Sequence, residues 1–238
     1  MANKKKKKNQ TVYKPPKNSN KGFILIISGI FILAAILLFF VSNQEPKGDA
    51  TGNTDIEVSY EGQPSIGEED APVKILEFAD FKCPGCAHFA AEIYPQIQKD
   101  FIDTGKVEMF MVNKPFVGPD STTAAIVGEA VLAQDEQAYW EYYELVFSNQ
   151  GKEQEQWATE EFLIGLIDEN IEGINIEQLK SDIDAGKFED EIKEDITMSN
   201  EVQSTPTIVI NGKQIQDPFD YEGTIKPAIE DAIADNNE

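Results

Sequence analysis

A short apolar run leads into two closely spaced cysteines in the segment Glu77-Phe78-Ala79-Asp80-Phe81-Lys82-Cys83-Pro84-Gly85-Cys86. Residues 71–79 (APVKILEFA) are the kind of apolar run found in buried strands. After the cysteines, apolar residues recur at every fourth position, the spacing of one face of a helix: Phe89, Ile93, Ile97 and Phe101. Pro95 is expected to kink that helix. Both cysteines are therefore predicted at the junction of a strand and a helix.

The spacing of the two cysteines favours redox chemistry. Cysteines three positions apart at the start of a helix can form a disulfide across one turn. Unpaired N–H groups of the first turn favour thiolate over thiol, so we expect a lowered pKa at Cys83, the sulfur that attacks or is attacked. Cys86 is expected to be more buried and to act as the resolving thiol. Pro84 suits the first turn, where its missing N–H is no loss.

Three other interpretations of the cysteines remain open: half of a metal site, a structural disulfide, or two unrelated thiols. The chain has one histidine and two cysteines, too few for a zinc site built from several such ligands. A disulfide that closes so short a loop restricts the unfolded chain little, so it adds little stability. The flanking strand and helix therefore favour a redox pair.

The remaining pattern predicts an α/β domain interrupted by helices. A second strand is expected at residues 107–112 (VEMFMV), and two strands joined by a helix should be parallel. Residues 207–210, Asn211-Gly212 and residues 213–216 predict a hairpin. Helical spacing appears between these strands and after the hairpin, marked by apolar residues that include Tyr139, Phe162, Leu179, Ile192, Ile196 and Ile229.

The composition excludes several function classes. All 20 basic residues are lysine, and no two glycines are spaced as G-x-G. Glycine-rich dinucleotide and kinase loops are therefore absent, as is the bidentate phosphate clamp of arginine. The net charge is −23, so we expect no nucleic-acid partner.

Charge and hydropathy divide the chain near residue 41. Residues 1–41 carry eight lysines and no acid, whereas residues 42–238 hold 12 lysines and 43 acidic residues, a net charge of −31. Residues 23–41 are uncharged and apolar, and a helix of that length (about 29 Å) matches the thickness of a membrane core. The preceding lysines predict a cytoplasmic amino terminus.

These features predict a cytoplasmic segment at residues 1–22, a single transmembrane anchor at 23–41, and a flexible linker at 42–65. The carboxyl-terminal domain is then extracytoplasmic, at the cell membrane. A cleaved signal peptide is the alternative, but the apolar stretch is long for one and no A-x-A pattern follows it.

The segment 77–86, together with Ser204-Thr205-Pro206-Thr207, resembles the DsbA-like thiol-disulfide oxidoreductases, most closely their membrane-anchored BdbD type. The resemblance implies a thioredoxin-like fold at residues 66–117 and 188–238, with an all-helical insertion at 118–187. It also implies that Pro206 is cis and lies against the cysteines, with the main chain of Thr205 pairing to an extended substrate. From the residues alone, Pro206 is a proline at a strand entrance.

Two further residues are singled out near the cysteine pair. The family often carries an acid at the position of Glu77, where it could exchange a proton with Cys86; the alternative is a strand-end glutamate that faces water. His88 is the only histidine, and we expect it on the exposed face of the helix. Strongly oxidising relatives often have histidine where this chain has Gly85, which leaves the redox potential open.

The sequence thus predicts a membrane-tethered oxidoreductase that introduces disulfides into unfolded exported proteins through Cys83 and Cys86. No cofactor beyond this redox-active pair is expected, although the family leaves room for a bound calcium ion, to which no residues are assigned. The resemblance implies reoxidation by a DsbB-like membrane quinone reductase. One alternative is a thiol reductase that uses the same site. Another is a non-enzymatic acidic binding module with a structural disulfide.

Overall fold

The structure is a computed structural model that describes residues 51–56 and 58–236. The predicted cytoplasmic segment, the predicted anchor at residues 23–41 and the first part of the predicted linker lie outside these residues. In the described part of the chain, no helix has both the length and the apolar character needed to cross a membrane.

Six strands form one mixed sheet in the order β1-β6-β5-β3-β4-β2. Their bounds are β1 Thr51–Asp55, β2 Ser65–Ile66, β3 Val73–Ala79, β4 Val107–Asn113, β5 Thr207–Ile210 and β6 Lys213–Ile215. β3 and β4 are parallel, as predicted, and the other neighbouring strands are antiparallel. Apolar side chains from β3 and β4 enter separate clusters, one containing Ile75 and Met109 and the other Leu76 and Phe110. Because successive strand residues face opposite sides, both faces of the sheet are covered.

The helical segment after the cysteines changes its hydrogen-bonding pattern twice. It consists of α1 (Pro84–His88), a π-helical turn (Phe89–Ile93), α2 (Tyr94–Ile97) and a second π-helical turn (Gln98–Ile102). Pro95 lies in the first turn of α2, directly after a π-helical turn. A wider turn is one way a helix accommodates the missing N–H of proline. The predicted apolar face is confirmed, because Phe89, Ile93, Ile97 and Phe101 are all buried.

Five α-helices separate β4 from β5, which confirms the predicted α/β class with a helical insertion. They are α3 (Pro119–Leu132), α4 (Glu136–Ser148), α5 (Glu160–Asn170), α6 (Ile176–Asp184) and α7 (Glu189–Met198). Two apolar residues of the helical pattern lie outside the core: Phe162 is 38% exposed and Ile196 is 41% exposed. The buried faces of α5 and α7 are formed by neighbouring residues, Leu163 and Ile192.

The predicted hairpin is confirmed at Asn211-Gly212. β5 pairs with β6 across this turn, and both turn residues have positive φ, 45° at Asn211 and 85° at Gly212, as a primed turn requires. The side chain of Asn211 also accepts a hydrogen bond from the backbone N–H of Lys74 (2.8 Å), which ties the hairpin to β3. After the hairpin, a π-helical turn (Tyr221–Ile225) and α8 (Lys226–Asp235) complete the fold.

The predicted linker at residues 42–65 is too long, because its second half belongs to the folded unit. Thr51–Asp55 forms β1 at the edge of the sheet, paired with β6, and Ile56 is buried. Ser65 begins β2 on the opposite edge. The polar composition of this stretch concealed its role, because an edge strand is held by main-chain hydrogen bonds and can be polar.

Candidate active site

The pairing of β3 with β5 brings the two predicted halves of the site together. In this antiparallel pair Phe78 lies opposite Thr207, so the end of β3 is beside the beginning of β5. The chain that leaves β3 continues to Cys83, and the chain that enters β5 comes from Thr205-Pro206. The Thr205–Pro206 peptide bond is cis, and the Cys83 thiol donates a hydrogen bond to the Thr205 carbonyl (Sγ···O 3.4 Å).

Cys83 is the N-cap residue of α1 and is 9% exposed, whereas Cys86 is fully buried. The pKa of Cys83 is lowered to about 6. The main cause is a hydrogen bond from the Cys86 side chain, and the backbone N–H groups of Cys86 and Gly85 add to it, against the opposing effect of burial. Free amides at a helix start stabilise a thiolate in this way.

Cys86 has the opposite electrostatic character. Its pKa is raised well above the usual value, first by burial and then by its hydrogen bond to Cys83 and the nearby Glu77 carboxyl. Glu77 is also fully buried, which excludes the water-facing interpretation of this residue. Burial raises the pKa of Glu77 to about 8, although a hydrogen bond from Tyr143 acts to lower it. At neutral pH a neutral acid therefore lies close to the Cys86 thiol.

Gly85 allows the loop before β5 to approach the cysteines closely. A Cβ atom at this position would lie 3.2 Å from Cδ of Pro206, 3.5 Å from the Phe219 ring and 3.6 Å from Sγ of Cys83. His88 is exposed, as predicted, and its ring centroid lies 5.4 Å from that of Phe219. The structure therefore places the histidine beside the 42%-exposed Phe219, a neighbour that the sequence pattern did not indicate.

Asp80 organises the loop that carries the cysteines, a role that sequence analysis missed. Its carboxyl accepts hydrogen bonds from the backbone N–H groups of Lys82 (2.8 Å), Phe116 (2.8 Å) and Val117 (2.9 Å). Its carbonyl accepts from the N–H of Cys83 (2.8 Å). A short acid directly after a strand is a common turn former, and that signal was available in the sequence.

Lys82 forms a buried ion pair next to the cysteines. Its Nζ lies 2.5 Å from Oδ1 of Asp120, and the two side chains are 2% and 8% exposed. The same ammonium donates to the carbonyl of Glu155 (3.0 Å), and Oδ2 of Asp120 accepts from the N–H of Ala158 (3.0 Å). The ion pair therefore fixes the loop between β3 and α1 (residues 80–83, here called the active-site loop) to α3 and to the chain before α5. Nothing in the local sequence distinguished this lysine from a surface one.

Gln150 provides a second connection from the helical insertion to the active-site loop. Its side-chain amide donates to the carbonyls of Phe81 (2.8 Å) and Cys83 (3.1 Å). Both acceptors lie in the loop between β3 and α1, so Gln150 supports the main chain from the side of the insertion. Nothing in the sequence around Gln150, which lies just after α4, indicates these hydrogen bonds.

A cluster of oxygen-bearing side chains lies at the end of β4. In the described residues, no group of three or more His, Cys, Asp or Glu side chains is placed to hold a metal. However, Asp195 accepts hydrogen bonds from Gln63 (2.7 Å) and Asn113 (2.9 Å and 3.0 Å), and Glu129 accepts from Asn113 (2.9 Å). The buried amide oxygens of Gln63 and Asn113 have no hydrogen-bond partner. Two carboxyls and two free amide oxygens are ligands of the kind that calcium prefers.

The difference between the two thiols predicts a specific pH dependence of alkylation. In the reduced chain, the rate of reaction of Cys83 with iodoacetamide should be half-maximal near pH 6, against about 8.5 for a free thiol. Cys86→Ala should move this midpoint upward, because it removes the main hydrogen-bond donor to the thiolate. Mass mapping of the alkylated peptides measures both. A midpoint near 8.5 in the unaltered chain would contradict the electrostatic account.

The buried ion pair predicts a large loss of stability when one partner is removed. Lys82→Met leaves the Asp120 carboxylate buried without its counter-ion, and we expect a decrease of about 3–5 kcal/mol in the free energy of unfolding. Urea denaturation measures it. The matched control is Lys193→Met, which breaks an exposed pair with Asp190 and should change stability little.

The double variant Lys82→Met/Asp120→Asn tests the cause of this loss. Because the unpaired carboxylate is removed as well, part of the lost stability should return. The ion-pair account is wrong if Lys82→Met is as stable as Lys193→Met.

Comparisons with known proteins agree with this geometry. The family model described as thioredoxin matches residues 59–231. A probable disulfide bond formation protein D of Bacillus anthracis is 32% identical over 220 residues, covering 90% of this chain and 97% of that protein. The crystal structure of oxidised BdbD from Bacillus subtilis matches with a TM-score of 0.72 and 37% identity, over 76% of this chain and 98% of that one.

A second solved structure extends the similarity to DsbA proteins. DsbA of Chlamydia trachomatis matches with a TM-score of 0.64 and 28% identity, over 78% of this chain and 97% of that one. The family match covers most of the chain, including both cysteines and the cis proline, and the named relatives support thiol-disulfide oxidoreductase activity rather than a non-enzymatic binding module. The chain belongs to the thioredoxin-like family and, within it, to the DsbA- and BdbD-like thiol-disulfide oxidoreductases.

Proposed function

We propose that this oxidoreductase introduces disulfide bonds into unfolded exported proteins, with Cys83 and Cys86 as its redox pair. The observation that carries the proposal is the contrast between the two thiols. Cys83 has a lowered pKa and lies beside the Thr205 carbonyl with 9% of its surface exposed, whereas Cys86 is fully buried and has a raised pKa. A stable thiolate at Cys83 stabilises the reduced form of the pair, which makes the disulfide a stronger oxidant.

The first step is attack on the oxidised pair by a substrate thiolate. The substrate sulfur forms a bond to Sγ of Cys83, and the bond between Cys83 and Cys86 breaks. Cys86 leaves with the electron pair in a buried environment where a thiolate is costly. Glu77, which is neutral at pH 7 because of its raised pKa, donates its proton to Sγ of Cys86 as a general acid.

The second step releases the oxidised substrate. A second substrate thiolate attacks the substrate sulfur of the mixed disulfide, and Cys83 leaves as the thiolate that the helix start stabilises. Two electrons have then passed from the substrate to the Cys83–Cys86 pair. During reoxidation Glu77 takes the proton back from Cys86, so one group acts as acid and base in turn.

Substrate binding is assigned to the main chain of Thr205, next to Pro206. The half-buried Thr205 lies at the end of the loop that enters β5, and its carbonyl already contacts Cys83. An extended peptide can bind such a segment by strand addition, in which the main-chain hydrogen bonds form with many different peptide sequences. This mode suits an enzyme that acts on many unfolded proteins.

The cellular arrangement follows from the predicted anchor at residues 23–41. A cytoplasmic amino terminus places the catalytic domain outside the cell membrane, where disulfides persist. Reoxidation is assigned to a DsbB-like membrane quinone reductase, which would take two electrons from the reduced pair and return it to the disulfide. The opposite direction, as a thiol reductase, uses the same residues and is the alternative.

Removal of the resolving thiol tests the mechanism. Cys86→Ser cannot form the internal disulfide, so its Cys83 thiolate should attack disulfides of substrate proteins, forming a mixed disulfide and releasing the other substrate sulfur as a thiolate. These adducts should accumulate, because Cys86, the intramolecular thiol that would clear them, is missing. We expect adducts on non-reducing gels that disappear on reduction, with the attachment site mapped by mass spectrometry. Cys83→Ser is the matched control and should form none. Absence of adducts in a folded Cys86→Ser chain would contradict the proposal.

We also propose that the cluster of Gln63, Asn113, Glu129 and Asp195 holds a calcium ion. Burial first, and then repulsion from Asp195, raise the pKa of Glu129, and a bound ion would offset that repulsion. It would also use the two amide oxygens that lack partners. Its contribution would be to stability rather than to thiol chemistry, since binding to the folded state alone shifts the unfolding equilibrium.

A thermal melt with and without calcium tests this assignment. Added calcium chloride should raise the melting temperature of the full chain, and Asp195→Asn should abolish the increase because it removes a charged ligand. Asp182→Asn, a substitution at an acidic residue of α6 that pairs with Lys187, is the control and should keep it. An equal increase in both variants would contradict the site.

A further inference from the structure

A tyrosine from the helical insertion holds the buried acid of the thioredoxin-like part of the fold. Glu77 lies on β3 and Tyr143 lies on α4, and both side chains are completely buried. The hydroxyl of Tyr143 donates a hydrogen bond to Oε2 of Glu77 at 2.7 Å. This contact joins two parts of the chain that are 66 positions apart.

The hydrogen bond makes the two oxygens of Glu77 inequivalent. Oε2 accepts from Tyr143, whereas Oε1 is buried and has no hydrogen-bond partner. A neutral carboxyl carries one proton, and Oε2 already accepts one from the tyrosine. Because a tyrosine donates preferentially to the carbonyl oxygen of a neutral carboxyl, the acid proton of Glu77 is assigned to Oε1, the oxygen without a hydrogen-bond partner.

We propose that Tyr143 is a positioning residue for proton transfer at Glu77: it holds Oε2, directs the exchanging proton to Oε1, and stabilises the carboxylate once the proton has gone. The inference rests on the proposed role of Glu77 as proton donor to Cys86. In that step the proton leaves Oε1 for Sγ of Cys86 while the disulfide opens. Glu77 becomes a carboxylate, and the hydrogen bond from Tyr143 becomes charge-assisted and therefore stronger.

Tyr143 keeps its own proton throughout. Burial first, and then the neighbouring Glu77, raise the pKa of Tyr143 well above the usual value. Its ring is packed among aromatic rings, with centroids 4.8 Å from Phe147, 5.2 Å from Trp140 and 5.4 Å from Tyr94. These contacts fix the direction of the hydroxyl and leave room for a phenylalanine ring of the same shape.

Every titratable group that faces Glu77 must be considered in a pH experiment. The Cys83 and Cys86 thiols interact with its carboxyl from the active-site loop and α1. Tyr94 does so from α2, and Tyr139 and Tyr143 do so from α4. Tyr143 is distinguished from the others because it makes the direct hydrogen bond.

The test replaces Tyr143 by phenylalanine in the full chain, purified in detergent. The protonated carboxyl of Glu77 gives an infrared C=O band, which is identified by its loss in Glu77→Gln. This band should disappear with a midpoint near pH 8 in the unaltered chain. In Tyr143→Phe the midpoint should rise by about one pH unit, a tenfold change in the protonation equilibrium, because the carboxylate has lost a hydrogen bond.

The kinetic readout is reduction of the oxidised chain by dithiothreitol, followed by trapping of thiols. The fraction of dithiothreitol present as thiolate depends on pH in the same way for every variant. Dividing the reduction rate of a variant by that of the unaltered chain at the same pH therefore removes the effect of the reagent and leaves the effect of the substitution. Glu77→Gln should abolish the change in reduction rate that accompanies titration of Glu77. Tyr143→Phe should shift the midpoint of this change to higher pH. In the Glu77→Gln background, Tyr143→Phe should have no further effect on the profile.

Tyr142→Phe is the matched control. Tyr142 is the adjacent residue of α4, is equally buried, and donates to the carbonyl of Ala124 at 2.7 Å rather than to Glu77. It should leave both midpoints unchanged, whereas a merely structural effect of losing a buried hydroxyl would appear in both variants. An unchanged infrared midpoint in folded Tyr143→Phe would overturn the inference. An unchanged kinetic profile in Glu77→Gln, with a shifted infrared midpoint in Tyr143→Phe, would instead overturn the proposed proton donor.

Discussion

The start of the helix that follows Cys83 is the constraint on which the chemistry depends. Amides that have no partner within the helix point toward the Cys83 sulfur, while the Cys86 sulfur lies one turn deeper without solvent. The hydrogen bond from the Cys86 side chain, with these amides, lowers the pKa of Cys83, whereas burial raises the pKa of Cys86. In the proposed mechanism Cys83 is therefore a good leaving group, whereas Cys86 needs a proton as it leaves.

The helical insertion takes part in this arrangement at several points. It supplies Asp120 to the buried lysine beside the cysteines, Gln150 to the carbonyl of Cys83, and Tyr143 to the acid beneath them. These contacts place polar groups in a low-dielectric interior, where each is costly to leave unpaired. The insertion therefore fixes the geometry of the active-site loop as well as adding apolar core.

The sequence predicted those features that depend on local pattern. Short strand-like segments identified β3 and β4, four-residue spacing identified the apolar face behind the cysteines, and Asn211-Gly212 identified the hairpin. The partners of Lys82 and Glu77 were not predictable, because they come from residues 38 and 66 positions away. β1 was also missed, since an edge strand held by main-chain pairing has no apolar signature. The insertion appeared in sequence only as helices, without any indication of what they contact.

The direction of electron flow is the central claim, and the redox equilibrium of the full chain with glutathione measures it most directly. Thiols would be trapped by alkylation at a series of glutathione ratios and counted by mass. A lowered pKa at Cys83 predicts a potential of about −180 mV or higher, among the oxidants of this chemistry. A potential below about −250 mV with rapid exchange would contradict the account and favour a reductase.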